Sequence, residues 1–508
     1  MLKKYLYVGY ILSWLVFFGL SIARYAEILA GQCNFFTNGW LMCAPQSQLS
    51  GLETFGIIAL IVGVFVCFLM AARLLWKDND QTIGLSKLRW LLLGLGILAV
   101  FVVPLGTSDM PYYFSAGKAI NQNLNPYIDP WTLQVDFENN APHPPVMGFS
   151  YGPIMAEAFR WLYNLSYDKV LVFMLAWKFL MLLFLAGCGV LTMKLGNLLS
   201  NNKTTTTWYI LWFAQPVLLF EWVVNGHFDG VWLFFLLLAI YAAHAKRWWL
   251  MIPALTVGIW IKFIPVLLVP FFALWWWQET DKQTWKKNIF QMGFGLIIAG
   301  LITILSWRPY WVGFEVFTSV ISQSKWAVMS IFATIYYSLK PLFVWLLADQ
   351  AHWYLTRLAQ GGLLLAVIYL LYPIIKKCLA VLFRKTKLES GEYAQTIFIF
   401  LLVFLMVWQK SFWPWYVVWF IPLGLIVYKA NQHSYAFKIA AWFSLASPFY
   451  HILAWVTIRA DAISKDELWF YYLLVGGTML YPLYLVCRWR QKNYAITDEN
   501  FEKSDVVS

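Results

Sequence analysis

The stretch Arg89–Gly117, RWLLLGLGILAVFVVPLGTSDMPYYFSAG, decides how the chain is read. Its first part is an apolar run of membrane-crossing character. Its second part opens with a carboxylate, Asp109, followed at once by Pro111, Tyr112 and Tyr113. A charge at membrane depth is costly and is usually retained for function. An acid just past the end of a span lies where the apolar and aqueous phases meet, and tyrosines favour the same depth.

The rest of the chain has the same character. Of its 508 residues, 61% are hydrophobic and 12% charged, whereas soluble domains hold about 45–50% and 25%. Mean hydropathy is +0.63, and apolar runs near the ~20-residue span length recur from end to end. The composition predicts an all-α polytopic membrane protein with no sizeable soluble domain. Aromatic residues make up 19%, with 31 Trp; clusters such as LWWWQ (274–278) and SFWPWYVVW (411–419) read as interfacial belts. The net charge of +12 sits mostly in short loops between apolar runs, which is the positive-inside pattern. No basic stripe with stacking aromatics suggests nucleic acid. Cys67, Cys188, Cys378 and Cys487 fall in or beside apolar runs and read as small core residues. Cys33 and Cys43 share a polar loop, where either a disulfide or a free pair fits.

Charge placement orders the spans. Lys3 and Lys4 hold the N-terminus inside, so spans over 5–28, 54–75 and 90–105 carry Asp109 to the outer face. A long loop, 106–169, follows, with its own amphipathic stretch and turn signals at Asn125-Pro126-Tyr127 and Tyr151-Gly152-Pro153. A loop of that length between spans is characteristic of a functional lid or site. A span over 170–193 returns. Shorter segments over 208–223 and 231–245 then leave NGHFDG (225–230) outside, and a hairpin of 248–261 and 263–277 turns at Lys262. Further spans are expected over 288–306, 354–375, 394–409, 412–428, 436–457 and 468–487, with a re-entrant or interfacial helix over 329–347. The expectation is one transmembrane domain over 1–488 with about 12–14 helices, then a polar cytoplasmic tail over 489–508.

On that topology the ionisable residues gather at outer ends: Asp109, Asp129, Asp136, Glu138, His143, Glu157, Glu221, His227, Asp229, Lys262, Arg308, Lys325 and Lys410. Asp136 and Glu138 read as solvated loop charges. Asp229 and Lys262, flanked closely by apolar segments, read as functional. Asp109 also suits a helix cap, with Pro111 early in the helix that follows. His227 and Asp229 also suit a tight turn. Asp109, Asp129, His227 and Asp229 offer oxygen and nitrogen ligands of a kind that holds a divalent ion, although no spacing demands one.

The ordered motifs SD…YY…AG…NPY…YGP, then NGHFDG, then Lys262 and Pro265, resemble the GT-C glycosyltransferases. The closest likeness is to glycosyltransferase family 87, mannosyltransferases that use a polyprenol-phosphate-linked sugar. It runs over about 100–330 and more weakly over 408–423. It implies a GT-C-like helical bundle in the plasma membrane, with an extracytoplasmic site and Asp109 as base. Lys262, Arg308 and Lys410 are the candidates for the donor phosphate. Tyr112, Tyr113, Asn125, Tyr127, Tyr151, Glu221, Asn225, His227 and Asp229 are the candidates for substrate binding and support. The implied partners are a polyprenyl-phosphate-linked donor, most simply of mannose, a glycan or glycolipid acceptor and the bilayer, with no required cofactor. Two spans and the Cys33/Cys43 loop precede the span before Asp109, whereas many relatives carry the acid earlier.

The chemistry suits the residues in its own right. A sugar on a lipid phosphate already carries a good leaving group. What remains is to deprotonate an acceptor hydroxyl and stabilise the departing phosphate. A single base opposite the leaving group implies inversion. Tyr112, Tyr113, Trp131 and Trp326 suit either sugar stacking or interfacial anchoring. A transporter or flippase of lipid-linked sugars would instead carry mid-span charges and internal repeats, which this chain lacks. A polysaccharide polymerase would share the large outer loop.

Overall fold

The computed structural model describes residues 9, 11–16, 18–19, 86–104, 109–132, 145–146, 148–200, 209, 212–323, 327, 330–431, 435–444, 446 and 476–491. The Cys33/Cys43 loop, the expected span over 54–75, Asp136, Glu138, His143, Lys325, Trp326 and the tail beyond residue 491 lie outside them. The described chain is helical, apart from a two-residue antiparallel bridge in which Trp131 faces Val146 and Thr132 faces Pro145. This is the all-α membrane architecture that the composition predicts. Four described helical runs are long and apolar enough to cross a membrane, or up to five if one bent pair counts as a span.

The chain forms two compact units. The first comprises Met1–Asn197, Asn202–Val266 and Phe290–Ile321. It begins, among the helices named here, with α1 (Ser86–Val100) and α2 (Asp109–Asn121). Helix α3 (Pro153–Ser166) follows, with Pro153 in its first turn, where a missing N–H costs nothing. Helix α4 (Val170–Leu198) has 29 residues, about 44 Å at 1.5 Å per residue, more than a ~30 Å hydrocarbon core requires.

The two short segments expected over 208–223 and 231–245 contain a bent pair of helices. Pro216–Val224 (α5), which ends in a π-turn, and Asp229–His244 (α6) meet at 112°. The break falls on NGHF, and Gly226 supplies its positive φ of 70°. A Cβ at Gly226 would run into the end of the Met110 side chain. Helix α6 then packs along α7 (Trp248–Ile261), so the end of α7 lies beside the start of α6.

Helices α2 and α3 pack together. The entry to α3 is fastened to α7 through Gly152 N–H, which donates to the Ile261 carbonyl at 3.1 Å. A Cβ on Gly152 would collide with the Trp260 carbonyl. Trp260 is held in turn by Thr303 of α9 (Trp285–Trp307), at 2.8 Å.

The second unit comprises Leu198–Asn201, Leu267–Ile289 and Ser322–Ser508. It contains α8 (Val269–Gln278), α10 (Ile331–Leu347), α11 (Ala351–Leu382), α12 (Ser390–Val403) and α13 (Phe420–Asn431). The run Ile331–Leu382 is a hairpin rather than one rod: Tyr336 Oη lies 2.6 Å from His352 Nδ1. Helix α10 therefore folds back on α11, and α11 extends beyond both ends of the span expected over 354–375. Ser330 caps α10 by accepting from Ala333 N–H at 3.0 Å.

Gly152→Ala forces the α3 entry away from α7. The expected loss is about 1–3 kcal/mol, read as a lower thermal midpoint in detergent.

Candidate active site

The broken helix α5–α6 organises the first unit's polar centre. In the π-turn, Asn225 N–H donates back to the Phe220 carbonyl at 2.7 Å. His227 N–H donates to the Glu221 carbonyl at 2.9 Å, which closes the turn around Gly226. The indole Nε1 of Trp177, on α4, donates to the Gly226 carbonyl at 2.7 Å. Backbone groups freed by the break are thus satisfied inside the protein, as buried main-chain polar groups require.

With the turn so held, His227 points at the start of α2. Its Nδ1 lies 3.1 Å from Asp109 Oδ2, and its Nε2 lies 3.5 Å from Glu221 Oε2. Asn225 Nδ2 donates to the same Glu221 oxygen at 3.3 Å. Tyr113 Oη donates to Asp109 Oδ2 at 3.0 Å, one helical turn along α2. Asp109 is the first residue of α2, and its side chain reaches across to His227. At the end of α7, Lys262 donates to Asp229 Oδ1 at 2.7 Å, across the α6–α7 hairpin. The result is an acid–imidazole–acid row beside a lysine–acid pair.

Exposure separates these groups. The side chains of His227, Glu221 and Asp229 are 0%, 1% and 3% exposed, whereas Asp109 retains 20% and Lys262 12%. Asp109 and Lys262 are therefore the members best placed to meet a substrate. Burial works to raise the pKa of Asp109. The hydrogen bond and charge of His227, then the Tyr113 hydroxyl and the Lys262 charge, outweigh burial and hold it below the ordinary carboxylate value. Burial first, and the Asp109 charge next, push the Tyr113 hydroxyl well above the usual phenol range. Tyr113 therefore stays a donor to Asp109.

Around this row stands an aromatic wall. Tyr113 stacks on Phe159 at 4.6 Å, and Tyr151 meets Phe228 edge-on at 4.6 Å. Tyr112 stacks over Phe149 at 6.1 Å and leans on Trp131 at 5.1 Å. Tyr127 Oη donates to the Tyr151 carbonyl at 2.9 Å. Asn125 ties the loop to the end of α9 by donating to the Tyr310 carbonyl at 2.9 Å. Asp129 accepts from Asn125 N–H at 2.6 Å and so closes the loop's own turn. Tyr113 and Trp131 are only 1% and 2% exposed, so their faces are spent on packing inside the loop.

The structure thus brings Asp109, Tyr113, Glu221, Asn225, His227, Asp229 and Lys262 together. Tyr112, Asn125, Tyr127 and Tyr151 build the loop beside them. Arg308 is exposed, just past the end of α9. Lys410 belongs to the second unit, where its ammonium lies 5.1 Å from the Phe332 ring centre. Among the described residues, no group of three or more His, Cys, Asp or Glu is arranged to hold a metal ion.

One residue escaped the sequence reading. Lys178 lies on α4 and is fully buried, and its Nζ donates to the Val102 carbonyl. It pins the segment between α1 and Asp109. Its signal was available, since a lone lysine inside a membrane-length apolar helix is a functional candidate in itself. Lys178→Met removes a buried amine but frees that segment. The expected outcome is a thermal midpoint that does not fall, with turnover reduced by up to about 10²-fold through misplacement of Asp109.

The comparison with known families agrees with the motifs. The family model for the alpha-(1->6)-mannopyranosyltransferase N-terminal domain matches residues 7–278. That range takes in the whole row from Asp109 to Lys262. No curated protein matches the chain. Because the matched residues make up more than half of the 508, the chain belongs to the alpha-(1->6)-mannopyranosyltransferase family and is a membrane-embedded mannosyltransferase.

Proposed function

We propose that the enzyme transfers mannose from a polyprenyl-phosphate-linked donor to a hydroxyl of a glycan or glycolipid at the extracytoplasmic face, with inversion at the anomeric carbon. The observation that carries this reading is the pairing of a partly exposed, ionised Asp109 with a partly exposed Lys262 in one polar centre. The acceptor oxygen attacks the anomeric carbon and its proton passes to the Asp109 carboxylate. The bond from that carbon to the phosphate oxygen breaks, and its electron pair leaves with the lipid phosphate. Lys262 offsets the charge that develops there. Asp229 holds the Lys262 ammonium in place, and Tyr113 and His227 fix the direction of the Asp109 carboxylate. The His227 backbone N–H donates to the Glu221 carbonyl, so the base is oriented by the closed turn rather than by solvent.

Attack from the face opposite the leaving phosphate turns a β-linked donor into an α-mannoside. The charge pattern, which places Asp109 and NGHFDG at the same outer side, supports the extracytoplasmic assignment. The apolar surroundings of the centre suit a lipid-borne donor better than a soluble nucleotide sugar. Since Lys262 is available to the phosphate, the reading needs no divalent ion.

Four outcomes test it. Asp109→Asn in membranes supplied with polyprenyl-phosphate mannose lowers transfer by about 10²–10⁴-fold at unchanged protein level; transfer at the wild-type rate removes Asp109 as base. The acid limb of kcat/KM lies below the ordinary carboxylate range near 3.9, because Asp109 must lose its proton to act and its pKa is lowered. His227→Gln removes the largest lowering influence and leaves the burial that raises the pKa, so the limb moves to higher pH. Chelation with EDTA leaves the transfer rate unchanged.

A further inference from the structure

The second unit contains a feature that the transfer reaction does not use. Helices α8, α11 and α12 enclose an apolar groove of about 670 Å³, lined by residues including Phe271, Ala273, Leu274, Trp277, Leu379 and Phe400. On α11 the lining runs from Leu371 to Leu382, about 17 Å of helix at 1.5 Å per residue. That is close to half of a ~30 Å hydrocarbon core, the depth of one leaflet.

The groove ends in a basic collar. Helix α8 leads into Lys282, Lys286 and Lys287. Helix α11 carries Lys376 and Lys377 midway along that lining stretch and continues at its end into Arg384, Lys385 and Lys387. Glu279, Asp281, Glu389 and Glu392 oppose them. Lys377 pairs with Glu392 at 3.3 Å and Lys387 with Glu279 at 3.0 Å. The collar keeps a positive excess, and Lys385 is exposed. By the positive-inside rule it meets the inner leaflet, where anionic headgroups gather.

The mouth of the groove is built from Trp277 and Arg384. Trp277 Nε1 donates to the Leu382 carbonyl at 3.2 Å, and the Arg384 guanidinium lies 4.4 Å from the Trp277 ring centre. Arg384 terminates α11 in a left-handed conformation, φ 56°. Its N–H donates to the Val381 carbonyl at 2.9 Å, and Lys385 N–H donates to the Ala380 carbonyl at 2.8 Å. Glycine is the usual residue there, since any side chain is strained. The arginine tolerated at this position sets a planar cation on an indole at the groove's mouth; its Nη2 donates to the Thr280 carbonyl at 3.1 Å, and its other N–H donors suit phosphate oxygens.

We propose that this groove is a binding site for an anionic membrane phospholipid, with an acyl chain along Leu371–Leu382 and the phosphate headgroup at Arg384 and Lys385. The site is independent of the catalytic reading, and its test involves no sugar transfer. Full-length protein in detergent is stripped of lipid, titrated with phosphatidylglycerol or phosphatidylcholine of identical acyl chains, and examined by native mass spectrometry.

The expected result is one tightly retained phosphatidylglycerol per chain, about tenfold or more tighter than phosphatidylcholine. Arg384→Gln combined with Lys385→Gln lowers phosphatidylglycerol retention to the phosphatidylcholine level. Ala273→Phe, which fills the groove, abolishes retention of both; should it fail to fold, the charge variant decides. Equal retention of the two lipids by the wild type, or phosphatidylglycerol retention unchanged by the charge variant, overturns the proposal.

Discussion

The first unit depends on one interaction, the grip of His227 and Tyr113 on Asp109 Oδ2. A carboxylate in so apolar a setting is unfavourable unless donors meet it, because burial penalises the charged form. Tyr113 comes from the next turn of the same helix, but His227 lies more than a hundred positions away in sequence. It reaches Asp109 only because the α5–α6 element is broken at Asn225–Phe228. The break is therefore what permits an ionised acid at this depth. Gly226 bends the chain, Trp177 takes up its carbonyl, and Met110 fills the space that glycine leaves.

The same break decides the second pair. Because α6 begins at Asp229 and returns through the α6–α7 hairpin, the residue after α7 arrives opposite Asp229. That residue is Lys262, and an ammonium and a carboxylate meet at 2.7 Å with little exposure. A buried pair of this kind contributes little net stability, since desolvation consumes most of the attraction, and it serves better to place charge. The Tyr151–Pro153 segment packs against the end of α7 through Gly152, which sets the aromatic wall beside the lysine. Acid, base partner and cation are all positioned by main-chain turns rather than by long flexible side chains. A site that must hold its geometry during transfer benefits from that arrangement.

The motifs were legible because their chemistry is local. Asp109 after an apolar run, NGHFDG between two short apolar segments, and Lys262 before a proline each announce themselves without a fold. Their joint membership of one centre was less legible. Arg308 and Lys410 satisfied the same test, a cation at an outer end; Arg308 lies just past the end of α9 and Lys410 in the second unit. Hydropathy reports how deep a residue lies and not which neighbours it faces. For the same reason the sequence left Tyr113 and Trp131 between sugar stacking and interfacial anchoring, whereas both are packed into the loop. Lys178 went unnoticed because its partner is a backbone carbonyl, which has no identity in a sequence.

The amino-acid sequence by itself determined the membrane character, the helical class, the family and the place of an acid just after an apolar run. These follow from composition, from apolar run length and from short ordered motifs, all of which are properties of neighbouring residues. Only the tertiary structure decided that Pro216–Val224 and Asp229–His244 meet across a short break at 112°. It alone decided that His227 meets Asp109 with Glu221 close behind it, and that Lys262 stands against Asp229. The physical reason is that a π-turn and a glycine at positive φ redirect the chain. Which distant side chains then meet depends on that angle and on the packing that stabilises it, neither of which any local pattern records.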